Sequence, residues 1–172
     1  ANSIVTGLLP DGTTPLSLKG EPVYRGVGVG AFADRVVTPE TGAVKIDKDI
    51  PLDVACVIGC AVQTGTGAVL NAAGVQSGDT VLIMGLGGVG LSAVQGARVA
   101  GASRILVSDP VSSRREAAMA MGATDLLDPM KDDVVAAAQA INGVGVDYAF
   151  ETAGKSALLD TGLAAIRNGG TL

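Results

Sequence analysis

No histidine and no tryptophan occur in the 172 residues, and aromatic residues are only 2% of them. The chain therefore has no histidine base and no histidine metal ligand. Its core has to be assembled from Val, Leu, Ile, Ala and Met. Cysteine is nearly absent as well. The two present, Cys56 and Cys60, are four positions apart. On a helix they share a face, but that spacing is a poor disulfide geometry. The first 20 residues have no basic start followed by an apolar core, so no secretory signal is expected. Reduced thiols in a cytoplasm follow as the expectation. Basic clusters are missing too. The longest is the pair Arg114-Arg115, and the formal net charge is −5. That balance argues against nucleic acid as a partner.

Two uncharged stretches, 54–78 and 80–97, are long enough to suggest membrane spans. Both contain several glycines, and the first also holds Gln63, Thr64, Thr66 and Asn71. No membrane span is expected. What the chain has in abundance is glycine, 25 residues, in a sequence that is 48% hydrophobic and 17% charged. That composition excludes a disordered tail, and the length suffices for one domain with a real core.

The chain changes character near position 80. Residues 1–50 are rich in Gly, Pro and Thr, with short apolar groups: "SIV" at 3–5, "PVY" at 22–24 and "RVV" at 35–37. They read as turns and short strands. Alternation predicts a strand in "GAFADRVVTPE" (30–40) and another in "AVKID" (43–47). Asp53 is placed to cap a helix beginning near Val54. Gly59 and the "TGTG" at 64–67 are expected to break that helix into two pieces, the second ending at Gly74.

From Thr80 a rhythm sets in. Strands are predicted at 80–85, 104–109, 125–128 and 146–151. Helices follow at 88–101, 112–122, 131–143 and 156–170. The strands are apolar on both faces, which indicates a parallel sheet covered on both sides. Right-handed crossovers make this an α/β fold with a doubly wound parallel Rossmann sheet. The final "GGTL" reads as the entry to a fifth strand. Such sheets have about six strands, so the sheet is expected to be incomplete at its C-terminal side.

The glycines at the first strand-helix junction carry the chemistry. Gly85, Gly87 and Gly90 spell G-x-G-x-x-G directly after a strand and at the start of a helix. The first glycine permits the tight turn, and the second leaves room for a pyrophosphate. The third lets the helix pack closely on the strand. The exposed amides and the helix dipole then hold phosphate. Asp109 lies 19 residues after Gly90, at the end of "RILVSD". A carboxylate there accepts hydrogen bonds from ribose hydroxyls and repels a 2′-phosphate, which favours NAD over NADP. The rival role for Asp109 is a cap on the next helix. Arg114 either reaches the adenosine end or stays solvated. Cys60 by itself reads as a buried small residue, since no His or Cys-x-x-Cys accompanies it.

The stretch "CVIGCAVQTGTGAVLNAAGVQSGDTVLIMGLGGVGLSAVQGARVAGASRILVSD" resembles the zinc-dependent medium-chain alcohol dehydrogenases. The similarity extends back through "DGTTPLSLKGEPVYRGVGVGAFADRVVTPETGAVKID" and forward through "VGVDYAFETAG". The nearest branch resembles the glutathione-dependent formaldehyde dehydrogenases and their bacterial relatives. The resemblance implies that Cys60 is a ligand of a catalytic zinc and that Thr64 lies beside the nicotinamide. It implies that Gly85, Leu86, Gly87, Gly88, Val89 and Gly90 form the pyrophosphate loop, with Asp109 on the ribose and Arg114 near it. Cys56 matches no ligand and is expected in the core. By the same resemblance residues 1–60 are part of a β-rich (GroES-like) catalytic domain, and 61–172 form a truncated dinucleotide-binding domain.

The other zinc ligands, the proton relay and most of the substrate pocket of that family have no counterpart here. The chain is thus expected to be inactive alone. In the intact protein the implied reaction is hydride transfer between a small alcohol or aldehyde and NAD, aided by zinc, in a homodimer or homotetramer. Two rivals are a zinc-independent NAD(P)H quinone or enoyl reductase of the same superfamily and a non-catalytic nucleotide-binding module. Zinc-free reductases usually lack the cysteine found here at 60.

Overall fold

The computed structural model describes residues 6–36, 38 and 40–172. Two compact units emerge, Ala1–Asp49 and Ile50–Leu172. In the first, β1 (Leu16–Leu18) and β2 (Glu21–Val23) form an antiparallel hairpin. Its two-residue turn has Lys19 at φ 52° and Gly20 at φ 85°. Both lie in the left-handed region, whose backbone twist matches that of the flanking strands.

The strands expected at 30–40 and 43–47 do not form among the described residues. Positions 37 and 39 lie outside the described residues, as does the apolar group at 3–5. Phe32, Val44 and Ile46 are exposed. Alternation yields a strand only where a neighbour supplies hydrogen bonds and covers the apolar face. Neither segment has such a neighbour among the described residues.

The second unit opens with one helical rod, α1 (Leu52–Ala73). The rod is not broken at Gly59 or at the "TGTG". It runs through π-type turns at Ile58–Val62 and Ala68–Ala73, with an α-helical turn between them. Gly65 is there for packing. A Cβ on it would stand 2.2 Å from the Val89 carbonyl oxygen and 2.7 Å from the Ala93 nitrogen. Asp53 does not cap this helix. Pro51 occupies the cap position, and Asp53 only accepts from the neighbouring Val54 N–H at 3.1 Å. Gly74, in the left-handed region at φ 68°, closes the far end. Among the described residues α1 is the one helix long and apolar enough to cross a membrane, by length and composition only, and most of it is exposed. It meets the backbone of the next helix at Gly65. Cys56, expected in the core, is exposed. Its thiol donates to the Asp53 carbonyl at 3.2 Å, because the face it occupies turns away from that packing.

The strands and helices that follow are β3 (Thr80–Met84), α2 (Gly88–Ala100), β4 (Arg104–Ser108), α3 (Ser112–Met121), β5 (Asp125–Leu127), α4 (Val134–Gln139), β6 (Val146–Glu151), α5 (Ser156–Ala165) and β7 (Ile166–Thr171). The five strands form one parallel sheet in the order β5-β4-β3-β6-β7. Counted from β3, that is the 3-2-1-4-5 order of a doubly wound sheet, with its switch point between β3 and β6. Every residue of β3 is buried. One apolar cluster (Val69, Ile83, Val94, Ile105 and Val107 among others) fills the α1/α2 side of the sheet. A second (Leu82, Leu106, Val134, Val146 and Ala165 among others) fills the α4/α5 side.

Two boundaries differ from expectation. The helix begun at Ser156 stops at Ala165, and β7 starts at Ile166 rather than at the glycines. Gly145, at φ 113°, brings the start of β6 so close that a Cβ would lie 2.3 Å from the Ala165 carbonyl oxygen. That approach lets Ile166 pair with Val146, and the register then shifts before Thr171 meets Tyr148. Helix α4 is shorter than predicted, starting after Asp133, whose side chain accepts from the Ala136 N–H at 3.0 Å.

Candidate functional site

An open cleft of 510 Å³ lies beyond the C-terminal ends of β3, β4 and β6. Doubly wound sheets bind ligands there, at the switch point. Its floor is the turn after β3. Gly85 has φ 93°, and a Cβ on it would meet Ala153 at 2.9 Å. Gly87 is different. Nothing lies within 4 Å of where its Cβ would be. The space in front of that peptide is open, as the approach of a phosphate requires. Gly90 faces inward, where a Cβ would sit 1.9 Å from the Gly85 carbonyl oxygen and 2.8 Å from Thr152 Oγ1. Gly88, Val89 and Gly90 form the first turn of α2, whose early amides lack carbonyl partners within the helix.

Asp109 stands at the end of β4, with its side chain 3% exposed. Its Oδ2 accepts from the Leu86 N–H at 2.8 Å, and its Oδ1 accepts from the Val111 N–H at 2.8 Å. The carboxylate is thus fastened to the glycine turn as well as to the chain leading into α3. Each carboxylate oxygen keeps a second lone-pair direction for another donor. Asp109 lines the cleft. Arg114 lines the cleft too. Its Nη1 lies 3.6 Å from Asp109 Oδ2, and its side chain is 54% exposed.

The structure thus gathers Gly85, Leu86, Gly87, Asp109 and Arg114 around one cavity. Thr64 and Cys60 lie outside its lining, on α1, and both are exposed. Cys60 falls within the π-type turn Ile58–Val62. Such turns inside helices are frequent at functional sites. Among the described residues no group of three or more His, Cys, Asp or Glu side chains is gathered to hold a metal. Zinc sites need at least three protein ligands. These residues alone therefore do not make a zinc site, and Cys60 offers one donor.

The sequence motifs did not single out the opposite wall. Thr152, after β6, donates from Oγ1 to the Gly85 carbonyl at 2.7 Å and from its N–H to the Met84 carbonyl at 2.9 Å. It clasps the turn in shape. Glu151 accepts from the Ala153 and Gly154 N–H groups at 2.8 and 3.1 Å, which orders the entry to α5. Ala153 and Lys155 then line the cleft, and Pro129 and Met130 face them from the turn after β5. The signal that could have found Thr152 and Ala153 is their place just past a strand at the switch point.

A doubly wound sheet with this glycine turn, helix N-terminus and strand-end carboxylate is the arrangement found in dinucleotide-binding domains. Comparison with known proteins agrees. Residues 88–172 match the family described as Zinc-binding dehydrogenase. Over 169 residues the chain is 38% identical to S-(hydroxymethyl)glutathione dehydrogenase of Saccharomyces cerevisiae, covering 95% of this chain and 44% of that protein. The solved benzyl alcohol dehydrogenase of Acinetobacter calcoaceticus superposes with a TM-score of 0.87 at 34% identity, over 96% of this chain and 46% of that one. An alcohol dehydrogenase zinc-binding domain protein from Burkholderia ambifaria gives 0.85 at 40% identity, over 93% and 44%. Residues 88–172, the C-terminal part of the chain, carry the domain of the zinc-binding dehydrogenase family. The chain spans less than half the length of these relatives.

Proposed function

We propose that the protein carrying this chain oxidises a small alcohol, or reduces the matching aldehyde, with NAD as the hydride carrier. The observation that carries this reading is the open face of Gly87 beside the buried carboxylate of Asp109. The pyrophosphate sits on the amides of Gly87, Gly88 and Val89 at the positive end of α2. Leu86 and Gly85 shape the turn beneath it, and Gly90 keeps α2 close. The adenosine ribose donates to Asp109, and Arg114 lies over it. A 2′-phosphate would meet the Asp109 carboxylate, so NAD is preferred to NADP.

Thr64 is assigned to the nicotinamide end, on the strength of the family resemblance. Cys60 is assigned as one thiolate ligand of a zinc whose other ligands lie outside these residues. Its exposure and its π-type turn support that. When bound, zinc supplies Lewis-acid polarisation of the alcohol oxygen. The chain's own share of the reaction is to fix the cofactor and orient it toward the substrate.

Residues 1–60 are assigned to a β-rich catalytic domain and 61–172 to the nucleotide domain on the strength of the family resemblance; the fold itself divides earlier, between Asp49 and Ile50, and α1 runs through position 60. A cytoplasmic homodimer or homotetramer completes the proposal. The two free thiols support the compartment, and the oligomer rests on the resemblance alone. The test is NAD titration by calorimetry with NADP as comparison, followed by an alcohol panel read by formation of reduced cofactor. Absence of NAD binding overturns the reading.

A further inference from the structure

We propose that Arg115 is a positioning residue for Asp109, acting by bridging the turns that follow β4 and β5. The proposal rests on the nucleotide-binding reading above. Arg115 is the neighbour of Arg114 on the first turn of α3, but it does not line the cleft. Its side chain is only 15% exposed. Nη1 donates to the backbone carbonyl of Asp109, and Nη2 donates to Asp128 Oδ2 at 3.3 Å.

What makes the first bond matter is Pro110. Proline has no N–H. The peptide joining Asp109 to Pro110 therefore has its carbonyl as its single polar handle, and among the described residues Arg115 holds it. The rest of Asp109 is equally tied. Its N–H donates to the Leu127 carbonyl at 3.4 Å, and its two carboxylate oxygens accept from Val111 and Leu86. Removing the Arg115 bond frees the peptide that leads on to Val111, whose N–H is what holds Asp109 Oδ1.

The second bond reaches the neighbouring turn, the one that follows β5. Asp128 accepts from the Met130 N–H at 3.1 Å through Oδ1, and its carbonyl accepts from the Lys131 and Asp132 N–H groups at 2.9 and 2.7 Å. These bonds shape the turn that presents Pro129 and Met130 to the cleft. One guanidinium thus ties the backbone beneath the ribose carboxylate to the turn after β5, next to the bond Asp109 already gives Leu127. A lysine ammonium is a point charge and does not reproduce a planar fork that serves two acceptors at once.

The test is NAD affinity by calorimetry in the protein that carries this chain. The variants are Arg115→Ala, Arg115→Lys, Asp109→Ala and the double variant Asp109→Ala with Arg115→Ala. Arg115→Ala is expected to weaken NAD about tenfold, the scale of one charge-assisted hydrogen bond. Arg115→Lys is expected to stay well short of wild type. In the Asp109→Ala background the Arg115→Ala change is expected to cost less than about twofold, because residues acting through each other are not additive.

A purely structural arginine gives the same loss in both backgrounds, and that result overturns the proposal. So does an Arg115→Ala protein with wild-type affinity. If Arg115→Ala does not fold, Asp128→Asn takes the charge out of the bridge's anchor instead and is expected to show a smaller loss and the same non-additivity with Asp109→Ala. Wild-type protein that binds no NAD overturns the nucleotide reading and this one together. Wild-type binding with additive losses overturns this one alone.

Discussion

Gly90 lies so close to Gly85 that a methyl group built on it would stand 1.9 Å from the Gly85 carbonyl oxygen. The two glycines of the turn that share its motif, Gly87 and Gly90, therefore fail in opposite ways when substituted. Gly90→Ala is expected to destabilise the domain by about 3 kcal/mol, because backbone must move to admit the methyl. Gly87→Val meets open space, at an ordinary extended φ of −77°. The fold is expected to persist at a cost of about 1 kcal/mol, because a branched residue is a poor helix N-cap, while NAD binding is lost to the isopropyl group in the phosphate's place. Thermal melts beside NAD titrations check both. Tight NAD binding by a folded Gly87→Val protein would remove this turn from the site.

Asp109→Ala tests the ribose acid. NAD affinity is expected to fall and the NAD-to-NADP preference to narrow, since the repelling carboxylate is gone. Stability is expected to fall too, by about 1–3 kcal/mol, because the Leu86 N–H loses its buried acceptor. An unchanged cofactor preference together with the stability loss would leave Asp109 as a fastener of the turn.

Cys60→Ser replaces a soft thiolate by a hydroxyl, a poor zinc ligand at neutral pH. In the protein that carries this chain, zinc content and alcohol turnover are expected to drop together. NAD affinity is expected to stay, because the glycine turn and Asp109 stand apart from α1's exposed face. Metal analysis beside calorimetry separates these. Full zinc content in the variant would assign the metal to other residues.

Asp147 gives the domain an acid-sensitive tie. Its Oδ2 accepts from the Thr80 N–H and Oγ1 at 2.8 and 2.7 Å, and its Oδ1 accepts from Arg167 Nε at 2.6 Å. Burial works to raise the carboxyl, but the hydrogen bonds from Arg167 and Thr80 outweigh it and hold it below its ordinary value of 3.8. A depressed carboxyl adds stability that is fully present above 3.8 and is lost as pH falls through the lower folded value. Asp147→Asn is expected to cost about 1–2 kcal/mol at neutral pH, and the gap to wild type is expected to close below the ordinary carboxyl range. Urea midpoints across that range measure it. A gap that stays constant into acid would show that the charge of Asp147 contributes nothing.

The sheet from Thr80 onward was legible because two local signals agree along it. Apolar runs such as "TVLIM" and "RILVS" mark buried strands, and Gly101 and Gly122 end the helices between them. The cleft was half legible. Gly85, Gly87 and Asp109 announce themselves through spacing. Thr152 and Arg115 do not, because their roles come from which strands lie side by side and no short window encodes that. The first 49 residues misled. Their alternation at 30–47 is real, but a strand needs a partner, and a single segment does not say whether one is near. Gly65 misled in another way. It reads as a helix breaker, and it is present because α2's backbone passes where a side chain would be.

That contact has a mechanical consequence. Where helices meet through side chains, rotamers can shift and absorb a displacement. At Gly65 the backbone of α1 rests directly on the backbone of α2 at Val89 and Ala93, and peptide groups have no rotamers to change. Helix α1 carries Thr64 next to that contact and Cys60 one turn earlier. Helix α2 carries the phosphate-facing amides. A push on either end therefore arrives at the other undamped, and the proposed phosphate turn and the proposed metal cysteine share a single stiff lever.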